Sequence, residues 1–211
     1  MDSKTKKFDK AFLLFAIGQL FMVIGLLDYA SSIKVLADWL FLFSILEIVG
    51  VVLMIISSTM LYEYNKKYFY FFITSIICLF INLLSAFGDE STEDFTIAVA
   101  KGLGISGDIL LCASYVYFFL GTKEYFIDEK LDKNASRSKL SCLVIVILMI
   151  AINVMNFMKT VSFVQTNLIA MSIFKYGSVA LKFGMYAYIF VILLIMKSDK
   201  KRKEINNNEQ E

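Results

Sequence analysis

Apolar residues in this chain gather into six long runs, 11–28, 37–60, 68–87, 95–120, 140–158 and 168–196, separated by polar connections. A helix rises about 1.5 Å per residue, so roughly 20 apolar residues cross a hydrocarbon core about 30 Å thick. Each run reaches that length or nearly so. The pattern predicts an all-α polytopic membrane protein, a bundle of six transmembrane helices over 11–196. A basic N-terminal segment, 1–10, precedes the bundle, and a basic, polar tail, 197–211, follows it and is expected to be disordered. The connections are short except 121–139, a charged stretch after Gly121 expected to hold a surface helix around Tyr125, Phe126 and Leu131.

Composition agrees with the runs, because 58% of the residues are hydrophobic against the roughly 45–50% of soluble domains. The placement of lysine and arginine then orients them. The N-terminus carries four, loop 61–67 two, loop 121–139 five and the tail five, whereas the opposite connections hold only Lys34 and Lys159 beside the acidic Asp89, Glu90, Glu93 and Asp94. Basic flanks stay on the cytoplasmic side, so both termini are expected inside a multi-pass protein of the cell membrane. Trp39 and the cluster Tyr62, Tyr64, Tyr68 and Tyr70 fall at the expected borders, where amphipathic rings sit at headgroup level.

Several chemistries drop out. Histidine is absent, which removes the commonest general base and transition-metal ligand. Cys78, Cys112 and Cys142 lack C-x-x-C spacing and read as small core residues, so no metal or cofactor is expected. A net charge of +2 gives no nucleic-acid surface. Proline is also absent, which makes straight helices the default.

Glycine marks close packing. Gly50, Gly104 and Gly107 are expected where helix backbones approach, since small residues permit contacts that leucine would block. A shift of 57 residues places Lys10 on Lys67, Ile48 on Ile105, Gly50 on Gly107 and Leu53 on Leu110, a weak repeat compatible with three helical hairpins. Residues 102–107 read Gly-Leu-Gly-Ile-Ser-Gly, but a phosphate-binding G-x-G-x-x-G follows a strand and opens a helix in water, and this one lies inside an apolar run. Within it, Gly104-Ile105-Ser106-Gly107 resembles the G-x-S-G of rhomboid intramembrane proteases over four residues. That family pairs its serine with a histidine on the sixth helix. The resemblance therefore leaves Ser106 without an activating base, and no catalytic constellation is expected.

The candidate chemistry lies in ionisable residues inside the even-numbered runs. Glu47, Asp108 and Lys182 stand sixteen, fifteen and fifteen residues from the inner-side charges Glu63, Lys123 and Lys197, which puts all three at one depth. Lys101 and Lys175 lie seven residues further out, on the same faces as Asp108 and Lys182. Each such charge costs roughly 2.5–3.5 kcal/mol facing lipid, so all are expected to turn inward. Gln19, Asn82, Asn153 and Asn156 would supply hydrogen bonds there. Two functions follow from one set of residues. The first is binding or transport of a small polar solute or ion through a charged intramembrane site. The second is a non-catalytic membrane subunit whose buried charges are structural ion pairs. A remote third is an intramembrane enzyme, in which Lys182 would replace histidine as the base of a dyad with Ser106. The lipid bilayer is the one partner that the sequence specifies.

Overall fold

A computed structural model describes residues 3–26, 40–89 and 94–208 of the chain. The described residues form helices and turns, with no strand among them. Six helices are long: α1 (Ser3–Gly25), α2 (Leu40–Leu61), α3 (Lys66–Asp89), α4 (Asp94–Asp128), α5 (Asp132–Met158) and α7 (Leu168–Asn208). A five-residue α6 (Ser162–Thr166) connects α5 to α7. Four described segments are long and apolar enough to cross a membrane, Lys6–Gly25, Gly102–Asp128, Asp132–Met158 and Leu168–Lys203, and Ile48–Leu61 is a shorter apolar stretch.

Successive long helices pack side by side. The α1–α2 and α3–α4 pairs make the most extensive contacts, α2 joins α3, α4 joins α5, α5 joins α7, and α7 returns against α1 to close the series. Aromatic rings fill the half of the bundle nearest the termini. Phe15 of α1 stacks on Phe118 of α4 at 3.8 Å between centroids, Phe8 stacks on Tyr125 at 3.6 Å, and Phe71 of α3 meets both Phe15 and Phe118 edge-on. Offset and edge-on arrangements of this kind add to the dispersion gained by burying large rings.

Two glycines let α1 and α2 cross at backbone distance. A Cβ added to Gly50 would lie 2.8 Å from the carbonyl oxygen of Gly18, and one added to Gly18 would lie 2.9 Å from that of Gly50. Ser57 ties the same crossing by donating to the carbonyl of Ala11 at 2.8 Å. In α4, Gly107 is buried and its carbonyl accepts the Cys78 thiol of α3 at 3.4 Å, while Gly104 is half-buried.

Two expectations about connections are corrected. Residues 121–139 are not a loop with a surface helix: α4 runs through Gly121 to Asp128, and α5 starts at Asp132. Gly121 does not end a helix because it is a packing position, where a Cβ would meet the Tyr68 ring at 3.0 Å. The turn instead forms at Lys130, the one described non-glycine residue with positive φ, 55°. There the Leu131 N–H closes on the Phe126 carbonyl at 2.8 Å and the Lys130 N–H on that of Ile127 at 3.0 Å, the pairing that terminates a helix on a left-handed residue. The segment expected to be a disordered tail is likewise helical as far as Asn208, because its charges find partners on α1, α5 and the α4–α5 turn.

The glycine crossing yields a stability test. Gly50→Ala should cost about 1–3 kcal/mol, since the methyl group meets backbone that cannot swing away. Gly102→Ala, with nothing within 4 Å of its Cβ position, should be neutral or slightly stabilising in thermal unfolding of the detergent-solubilised chain.

Candidate polar site

Three helices bring polar side chains together around Asp108. The ammonium of Lys182 on α7 donates to Asp108 Oδ1 at 3.0 Å, and Asn156 Nδ2 on α5 donates to Oδ2 at 3.2 Å. Both carboxylate oxygens therefore have a donor. The pair is not sealed: the Asp108 side chain is 13% exposed and that of Lys182 26%, whereas Phe15, Phe118 and Tyr115 are at 0%.

The other expected members separate. Lys175 is exposed, with its ammonium 5.8 Å from the centroid of the Tyr176 ring. Gln19 is fully buried nearer the termini, where Oε1 accepts the Tyr115 hydroxyl at 2.8 Å and Nε2 has no partner among the described residues. Asn153 donates to the Met149 carbonyl at 2.9 Å, and its buried Oδ1 is without a partner among the described residues. The side chains of Glu47, Asn82 and Lys101 lie outside the described residues, as do Trp39, Glu90 and Glu93.

Ser106 is exposed on α4 and donates to the carbonyl of Gly102 four residues earlier at 3.0 Å. The Gly-rich stretch 102–107 is helical throughout, so its backbone N–H groups serve the helix and do not cradle a phosphate. Among the described residues no group of three or more His, Cys, Asp or Glu is placed to hold a metal ion. A groove of about 720 Å³ between α4 and α5 is lined mainly by hydrocarbon side chains such as Ile109, Val116 and Ile150, with Asn153 at its edge.

Lys159 is a neighbour of the site that the sequence pattern assigned to an outer connection. It caps the C-terminal end of α5, three residues after Asn156. Burial holds its ammonium below the usual lysine range; the positive charges of Lys182 and Lys175 act in the same direction, and Asp108 opposes them.

A second charged constellation closes the end of the bundle where the termini meet. Lys7 of α1 pairs with Glu63 after α2 at 2.7 Å, Lys67 of α3 with Glu124 of α4, Arg137 of α5 with Asp199 of α7, and Lys200 of α7 with Asp9 of α1 at 2.7 Å. Lys203 adds bonds to the carbonyls of Glu129 and Lys130 at 2.7 and 3.1 Å. Lys200 is almost wholly buried, with its ammonium 5.1 Å from the Phe8 ring centroid and 5.4 Å from that of Tyr125. The sequence pattern reads the lysines and arginine among them as orientation signals, because partners on remote helices leave no trace in local spacing.

No protein-family model, no curated protein and no solved structure matches this chain. Its chemistry rests on its own geometry.

The Lys200 contacts give a direct test. Asp9→Asn removes a carboxylate that accepts from the nearly buried Lys200 ammonium and should cost about 3 kcal/mol in chemical unfolding. Lys175→Ala, at an exposed position, should change stability by less than about 0.5 kcal/mol.

Proposed function

We propose that this chain is a multi-pass integral membrane protein that crosses the bilayer six times with both termini in the cytoplasm, and that it binds a small polar solute or ion at Asp108, Lys182 and Asn156. Six long helices and the clustering of basic residues at the terminal end support the topology. The observation that carries the functional reading is the partly open Asp108–Lys182 pair, joined by an amide from a third helix. Charges placed within an apolar bundle are costly, and convergent, partly accessible ones mark binding sites.

The arrangement favours binding from the non-terminal side over conduction through the bundle. Between the site and the terminal end lie the stacked rings of Phe15, Phe118, Phe8 and Tyr125, and beyond them the ion pairs of Lys200 and Arg137. An aqueous route would need both layers to part. The second reading, a structural tie, draws support from the full pairing of both Asp108 oxygens.

A charge exchange separates the two. The chain in lipid nanodiscs is titrated with sodium chloride, sodium phosphate, glycine and glucose while its thermal unfolding is followed. Binding predicts a saturable rise in melting temperature with at least one of them. Asp108→Asn should abolish that rise. The exchanged variant, Asp108→Lys with Lys182→Asp, should recover folded yield without recovering the response. Unresponsive wild-type protein, together with recovery of folding in the exchanged variant, would establish the structural tie instead. The topology has its own test: a membrane-impermeant maleimide should modify Glu90→Cys in intact cells, and Lys201→Cys only after permeabilisation.

A further inference from the structure

We propose that the cluster of Asp108, Lys182 and Asn156 takes a zwitterion, a small solute that carries an ammonium and a carboxylate on one carbon, as an α-amino acid does. The proposal rests on the solute-binding reading and names its ligand class. A carboxylate and an ammonium 3.0 Å apart present both signs of charge at one place, and both side chains keep partial exposure, 13% for Asp108 and 26% for Lys182. They arrive from different helices, α4 and α7, and the half-buried Asn156 of α5 stands beside the carboxylate, donating to Oδ2 at 3.2 Å. A ligand that reaches Asp108 therefore meets Lys182 as well.

The pair selects by charge. A lone cation that approaches Asp108 is repelled by the Lys182 ammonium, and a lone anion that approaches Lys182 is repelled by the Asp108 carboxylate; at ion-pair distances this repulsion is close in size to the attraction. A net charge must also leave water for a site set among apolar helices. A zwitterion aligned antiparallel to the pair avoids both costs. Its carboxylate lies on the Lys182 ammonium and its ammonium on the Asp108 carboxylate, so the four charges alternate in sign and cancel. Hydrogen bonding permits this with the pair intact, since an ammonium has three N–H groups and each carboxylate oxygen accepts from more than one donor. Asn156 can meet the same ligand, because an amide has a second N–H and a carbonyl oxygen besides the N–H given to Asp108. In an α-amino acid the two charged groups stand about as close together as Lys182 Nζ and Asp108 Oδ1 do.

Radiolabelled glycine, with acetate and methylammonium standing for its two halves, tests this on the full-length chain. The chain is held in phosphatidylglycerol nanodiscs, whose headgroups carry no ammonium of their own. Glycine should bind saturably, and acetate and methylammonium should each compete at least about tenfold more weakly than unlabelled glycine, because each forgoes one charge-assisted contact. The anionic lipid surface cannot produce that result, since it disfavours acetate and favours methylammonium. Asp108→Asn combined with Lys182→Met, with thermal unfolding confirming a folded chain, should abolish glycine binding; if that variant does not fold, the order of the three competitors on the unmodified chain decides alone. Competition by acetate or methylammonium as strong as that by glycine would overturn the zwitterion site, as would glycine binding retained in the folded double variant. If glycine does not bind while sodium chloride, sodium phosphate or glucose gives a saturable melting response, the zwitterion inference fails and the solute-binding reading stands. If none of them acts, both fail.

Discussion

A carboxylate surrounded by apolar side chains must find donors within its own bundle, and Asp108 finds them on two other helices, Lys182 of α7 and Asn156 of α5. That demand fixes how the second half of the chain is assembled. Helices α4 and α7 are remote in sequence, and the hydrophobic effect alone gives no preference for one rotation of α7 over another. The Asp108–Lys182 pair does, because any rotation that separates the two breaks that ion pair. At the other end of α7 the same logic applies through Arg137–Asp199 and Lys200–Asp9. One long helix is thus held at two levels by charges, and between them Tyr186 packs against Tyr115 of α4.

The two levels also differ. At the terminal end Lys200 is nearly inaccessible, with its ammonium near the Phe8 and Tyr125 rings and its charge met by Asp9. Around Asp108, the paired Asp108 and Lys182 side chains keep some exposure. This difference between the two ends supports the proposed binding site, entered from the less sealed end. A through-pore would need polar lining where Phe15, Phe71 and Phe118 pack against one another.

Different parts of this arrangement were legible in the sequence to different degrees. The long helices were, because apolar runs of that length report on themselves without tertiary information. The shared depth of Asp108 and Lys182 was also legible, since helical rise converts residue counts into distance. What spacing does not encode is which neighbour each helix face meets. Lys175 lies on the same face of α7 as Lys182 yet is exposed. Gly121 reads as a helix border in the sequence, but its missing Cβ makes room for the Tyr68 ring. The ion pairs of Asp9, Asp199 and Lys200 leave no local signal because their partners sit on other helices.

The central claim is that Asp108 and Lys182 act as a coupled pair that joins α4 to α7. A double-mutant cycle in detergent-solubilised protein measures this directly, with Asp108→Asn, Lys182→Met and both together, each unfolded by denaturant. The account predicts that each single change costs about 3 kcal/mol and that the double change costs less than their sum by at least about 1 kcal/mol. Losses that add to within about 0.5 kcal/mol would show that the two charges do not depend on each other, and would contradict it.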